Sequence, residues 1–210
     1  MTDKRHVDRA TTLAEMAPHR SVTISTLVGE TGQFSATEPL HEPPVSYLES
    51  AEAPAFVLAN TKRGIGLGSK RNTVAPARGR ETLVIVTGRR TLCLVGQAST
   101  DRVIEIPHES VAAADAHTGF RAHRLALKTP QNIYHCWCNR KTDRELLEAA
   151  TAYIEDRQRE DPEALETDDN ASQVLYRGRP VAPEPDGSEV EDTEKQTVMY
   201  RGRPVEKPSE

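Results

Sequence analysis

The chain has 210 residues, 36% of them hydrophobic and 28% charged, with 14 prolines and a formal charge of −5. That length suits one domain of ~100–150 residues with appendages, and the low apolar content excludes a core packed from end to end. No stretch approaches the ~20 apolar residues of a membrane-spanning helix, residues 1–20 lack the apolar run of a secretory signal, and three cysteines, an odd number, do not form a secreted disulfide framework. A reduced, cytoplasmic protein is expected.

In chain order, residues 1–44 read as a partly flexible N-terminal segment. His6 to Ala17 carries Val7, Ala10, Leu13, Ala14 and Ala17 at near-helical spacing and predicts a short helix, stopped by Pro18. Ser21 to Val28 is rich in β-branched residues and predicts a strand. Gly29 to Pro44 has the Gly and Pro content of a loop.

A domain over residues 45–160 follows. It begins with a helical turn near Tyr47 and a strand over Ala55–Asn60. Thr61 to Arg80, rich in Gly, Lys and Arg, reads as a loop. Thr82 to Gly96, TLVIVTGRRTLCLVG, places two apolar β-rich runs around a short Gly-containing turn, and so predicts a hairpin with strands near 82–87 and 91–96. Further strands are predicted at Arg102–Ile106, Ser110–His117, Arg121–Thr129 and Ile133–Cys138. The period then changes. Leu146, Leu147, Ala150, Tyr153 and Ile154 line one face of a helix over Thr142–Arg157, with Thr142 and Glu145 at capping-box spacing.

Residues 161–210 carry a net charge of −7 and no apolar periodicity, and read as an acidic disordered tail. The tail contains a repeat: VLYRGRPV at 174–181 and VMYRGRPV at 198–205, with a period of 24 residues.

The core resembles a pleckstrin-homology domain. Leu83, Val84, Val86, Thr87, Arg89, Arg90 and Leu92, then Ile106, Pro107 and Val111, then Glu145, Leu146 and Leu147 match in order the short motifs of the bacterial and archaeal pleckstrin-homology-like domains of the YokE type. The resemblance spans roughly residues 46–158, and Gly88 stands where that family's turn has Asp or Asn, a place where glycine supplies a positive φ. It implies a mainly β, α+β fold: a two-sheet sandwich or barrel of about seven strands closed by one C-terminal helix. It also implies a binding or adaptor module with no enzymatic activity and no cofactor. Eukaryotic relatives in fold often bind phosphoinositides, whereas prokaryotic ones mostly mediate protein contacts.

Two features compete for the binding role. Lys62, Arg63, Lys70, Arg71, Arg78, Arg80, Arg89 and Arg90 face a single acid, Glu81, within that stretch. Such a run suits an anionic headgroup or phosphate, a protein partner, or nothing more than a solvated loop paired with the acidic tail. If it binds lipid, the protein sits at the inner membrane face. The run holds no aromatic residue for stacking on bases, which argues against nucleic acid. RGIGLGSK fits neither a P-loop nor a dinucleotide fingerprint. The second feature is the repeated motif: Tyr176, Arg177 and Arg179, and again Tyr200, Arg201 and Arg203, offer an aromatic anchor and charge-assisted donors. A flexible ~16-residue spacer would reach ~20–25 Å and allow bivalent capture. The repeat suits external recruitment, docking on the core or an inert duplication. Cys93, Cys136 and Cys138 are expected to be small core residues rather than a metal site, and Trp137 to be a packing residue. His108, His117 and His123 are scattered and accompany no nucleophile motif.

Overall fold

The computed structural model describes residues 3–30, 38–60, 63–120 and 122–160, together with 199–200 and 203–204. The chain divides into two units, Met1–Asp168 and Asp169–Glu210.

The first unit is organised by the hairpin of β4 (Thr82–Thr87) and β5 (Arg90–Val95), paired antiparallel with Leu83 opposite Leu94 and Ile85 opposite Leu92. Every residue of β4 is buried. A strand solvated on one face alternates apolar and polar residues; a near-continuous run such as TLVIV marks burial on both. β1 (Pro54–Asn60) and β6 (Arg102–Pro107) flank the hairpin, giving a four-stranded antiparallel sheet in the order β1-β4-β5-β6. The second sheet is β3-β2-β9-β8-β7, built from β2 (Ile65–Leu67), β3 (Thr73–Val74), β7 (Ala113–Thr118), β8 (His123–Lys128) and β9 (Ile133–Cys138).

The two sheets close over one core. Val84, Val86, Cys93 and Val95 point inward from the first sheet, and Ile65, Leu125, Leu127, Cys136 and Cys138 from the second. Helix α3 (Arg144–Glu160) seals this core with Leu147, Ala150 and Ile154, all fully buried. The result is the helix-closed two-sheet sandwich expected from the sequence, with nine strands in place of about seven.

The outer face of the first sheet is covered by the N-terminal segment. Leu83, Ile85, Leu92 and Leu94 meet Ala10 and Leu13 of α1 (Lys4–Met16), Leu27 and Val28 of α2 (Ile24–Val28), and Val45 and Leu48 beyond them. The segment expected to be partly flexible thus contributes two helices to a second apolar layer. The predicted strand at Ser21–Val28 is a short helix. Thr23 caps it by accepting from the Thr26 amide at 3.1 Å, and Gly29 ends it in the left-handed region at φ 76°. Capping at both ends and burial against the sheet outweigh the β-branched propensity.

Three further differences are local. Thr61–Arg80 is not a continuous loop, because β2 and β3 lie within it. Helix α3 is capped one residue later than expected: Asp143, not Thr142, precedes Arg144 and accepts from the Glu145 amide at 3.0 Å. Gly88 is not among the glycines of positive φ. The Thr87 hydroxyl, which accepts from the amides of Arg89 and Arg90 at 3.3 and 3.2 Å, holds that turn instead.

In the second unit, β10 (Met199–Tyr200) pairs antiparallel with β11 (Arg203–Pro204), with Tyr200 opposite Arg203. The expectation of disorder for the tail and the first copy of the repeat lie outside the described residues.

Candidate functional site

Among the described residues, the basic side chains of 63–90 do not form one patch. Arg78 and Arg80 precede β4, whereas Arg89 and Arg90 follow it, so the two pairs sit at opposite ends of a six-residue strand, ~17 Å apart at ~3.4 Å per residue. Several of these cations already have partners. Arg80 donates to the carbonyls of Glu38 and Leu40, both at 3.0 Å, and lies 3.6 Å from the Glu38 carboxylate; it clasps the segment that precedes the turn at Pro44–Tyr47. Arg89 pairs with Glu49 at 3.2 Å from an exposed position.

Arg90 is the most committed. Its Nε and terminal nitrogen donate to both oxygens of Glu52 at 2.9 and 2.7 Å, and its other terminal nitrogen to Glu105 at 2.6 Å. Glu52 is buried and also accepts from the Thr87 hydroxyl at 2.9 Å and the Glu49 amide at 3.0 Å. Burial pushes the Glu52 carboxyl up, but the Arg90 hydrogen bonds, the Glu49 amide, the Thr87 hydroxyl and the Arg90 charge together hold it below its ordinary value. The bidentate Glu52 bonds raise Arg90 in turn. This is a structural clamp between the β4–β5 turn and the segment before β1. The cavity of about 470 Å³ beside it is lined by Glu49 and Glu109 as well as Arg89, Arg90 and Arg157, so its charges are mixed rather than anion-selective.

Lys70, Arg71 and Arg78 are exposed, the first two in the turn between β2 and β3 and the third before β4. Arg63 leaves the loop for the outer face of the second sheet, where its guanidinium lies 4.6 Å from the Trp137 ring centroid. Arg124 approaches the same ring to 5.6 Å. Cross-strand register explains the meeting: Arg124 of β8 stands directly opposite Trp137 of β9, and His135, two residues along, stands opposite Gly66 of β2. A Cβ at Gly66 would come within 3.0 Å of the His135 Cβ, so glycine there gives the imidazole room.

Trp137, expected as a packing residue, is packed here between two guanidinium groups rather than in the sandwich core. The signal was present, since period-2 alternation sends Cys136 and Cys138 inward and therefore His135 and Trp137 outward; nothing in the sequence said that Arg63 would reach across to them.

The cysteines are core residues, as the alternation implies. The thiols of Cys93 and Cys136 approach to 3.6 Å across the sandwich, and all three are free and buried. The bond to Cys93 and burial drive Cys136 well above the ordinary thiol value, and burial does the same to Cys138. Buried thiols of this kind are poor nucleophiles. Among the described residues no three His, Cys, Asp or Glu side chains gather as a metal site, and no helix is long and apolar enough to cross a membrane.

Of the repeated motif, Tyr200 and Arg203 are placed by the β10–β11 pairing. Lys62, Tyr176, Arg177, Arg179 and Arg201 lie outside the described residues.

Two antiparallel sheets of four and five strands closed by a C-terminal helix make the mainly β, α+β sandwich expected from the sequence. Among solved structures the chain is similar to a Vps36 N-terminal PH domain, at 18% identity and a TM-score of 0.40, over 52% of this chain and 83% of that one. It is also similar to a chain of the 8S snRNP assembly intermediate, at 15% identity and a TM-score of 0.35, over 59% of this chain and 91% of that one. No family model matches the sequence, and no curated protein matches it.

Proposed function

We propose that this chain is a non-enzymatic pleckstrin-homology-like adaptor of the bacterial and archaeal branch, a cytoplasmic protein that recruits a protein partner through its two Tyr-Arg-Gly-Arg-Pro-Val motifs. The observation that carries this reading is the duplicated motif itself, identical over six residues at 176–181 and 200–205. In the second copy, backbone pairing sets the first and fourth residues, Tyr200 and Arg203, opposite each other. Tyr and Arg are the side chains that concentrate binding energy at protein interfaces. Two copies on one chain add avidity without any new contact. The membrane alternative loses support from the geometry: of the eight cations assigned to it, Arg80, Arg89 and Arg90 are tied to carboxylates or carbonyls.

The test is affinity capture from a cell extract with the full chain and with Tyr176→Ala, Tyr200→Ala and the double variant. Each single change is expected to lower recovery of the same partner, and the double change to abolish it. Equal recovery by the double variant would overturn the adaptor reading. Sedimentation with phosphatidylserine vesicles checks the alternative: Arg71→Glu combined with Arg78→Glu is expected to leave the pelleted fraction unchanged.

A further inference from the structure

β6 ends its sheet, with β5 on one side and, among the described residues, no strand on the other. Of the other terminal strands, β7 packs beside α3 and β3 has only two residues. The far side of β1 is tied to the end of β9, because the Asn139 amide donates to the Ala59 carbonyl at 2.9 Å. Register shows which backbone groups β6 turns outward. The His108 amide donates to the Arg89 carbonyl at 2.9 Å, so these two residues form a hydrogen-bonded pair. By alternation so do Thr91 with Ile106, Cys93 with Ile104, and Val95 with Arg102. Val103 and Glu105 therefore point both N–H and C=O away from β5. The open edge stops at Pro107, which has no N–H and whose carbonyl accepts from the Ser110 hydroxyl at 2.8 Å. Val103 is also 37% exposed, an apolar side chain left at the rim.

We propose that this edge joins two copies of the chain, β6 against β6 about a two-fold axis, so that two four-stranded sheets become one of eight strands. Hydrogen-bond matching and charge select this occupant and fix its register. With Ile104 of one copy facing Ile104 of the other, Val103 of each copy lies opposite Glu105 of the second. Every outward N–H then meets an outward C=O. Glu105 faces an apolar neighbour, and its carboxylate is already held by Arg90 at 2.6 Å. Moving the axis one residue either way brings like charges together, which is destabilising. Centred on Val103, the pairing sets Glu105 against Asp101; centred on Glu105, it sets two glutamates opposite each other. The side chains agree with the middle register. Ile104 points to the core side and packs against it, so the facing pair, ~4.5 Å apart at Cα, continues the core across the axis. This inference does not draw on the repeated motif, and either can fail alone.

Sedimentation equilibrium of the full chain reads the state directly. The chain is expected to pass from monomer to dimer in the micromolar-to-millimolar range of small interfaces. Val103→Pro removes an outward N–H and none of the bonds from β6 to β5. It is expected to keep the wild-type circular dichroism and to weaken association about tenfold, since the two-fold axis doubles the loss. Val103→Thr keeps the N–H and the β-branch, and is expected to associate as the wild type does. Ile104→Cys tests the register. Diamide is expected to take one hydrogen from each of the facing thiols and link the copies covalently, because partners ~4.5 Å apart at Cα lie within disulfide reach. Cys93, Cys136 and Cys138 are buried, so the wild type, treated alike and blocked before denaturation, is expected not to cross-link. If Val103→Pro does not fold, the cross-link decides. A chain monomeric at every concentration, undiminished association of folded Val103→Pro, or no cross-link with Ile104→Cys would overturn the proposal.

Discussion

At the scale of single residues, the Glu52–Arg90 clamp makes the sharpest demands. Both groups are largely removed from water, and deleting Glu52 takes from Arg90 its buried bidentate partner, leaving it only the more exposed Glu105 and Glu49 carboxylates. Glu52→Ala is therefore expected to cost about 3–5 kcal/mol, read from urea unfolding midpoints. The pH dependence follows from the direction of the shift. The folded carboxyl titrates below its unfolded value, so its contribution is complete above the unfolded value of ~4.3 and is lost as pH falls through the folded one. Wild-type stability should decline through this acid window more steeply than that of Glu52→Gln, which has no carboxyl there to protonate. The sequence offered the basic members of this network and hid its purpose: Arg90 was legible as a cation beside a turn, but Glu52 is 38 residues away and only chain folding brings it to 2.7 Å. The buried cysteines give a second expectation at this scale. Ellman's reagent should label none of the three while the sandwich is folded and all three in denaturant.

At the scale of elements, two small devices decide where the N-terminal half turns. Thr23 and Gly29 delimit α2, and Thr23→Ala is expected to lower stability by about 1 kcal/mol through loss of the cap. Gly64 has φ 66°, and a Cβ there would lie 1.8 Å from the Val74 carbonyl oxygen. Gly64→Ala must therefore separate β2 from β3, and a fall in melting temperature together with altered Trp137 emission should report it, because Arg63 adjoins the moved backbone. Elements with strong internal periodicity were readable: β9 falls at Ile133–Cys138 as predicted, and α3 keeps the buried Leu147, Ala150 and Ile154 that its pattern announced. β2 and β3 were not, because strands of three and two residues carry no period of their own and exist through pairing with β9 and with each other.

At the scale of the first unit, the four-stranded sheet buries both faces, one under the second sheet and the other under α1 and α2. Removing residues 1–30 would uncover Leu83, Ile85, Leu92 and Leu94, an apolar patch that a soluble monomer rarely exposes. The truncated chain is expected to bind a hydrophobic dye and to aggregate in light scattering, where the full chain does neither. A deletion that stayed unaggregated and dye-free would show that this layer is dispensable.

The sequence alone determined the antiparallel hairpin at its centre, the strand-then-helix order that implies the sandwich, the acidic tail and its duplicated motif. These are local properties: apolar period, turn chemistry and repetition are written in adjacent residues. Only tertiary structure decided which charged groups meet. It tied Arg80 and Arg90 into the framework, and it set Arg63 and Arg124 beside Trp137 on one sheet face. Electrostatic partners are chosen by distance in space, and the residues that meet here lie tens of positions apart along the chain.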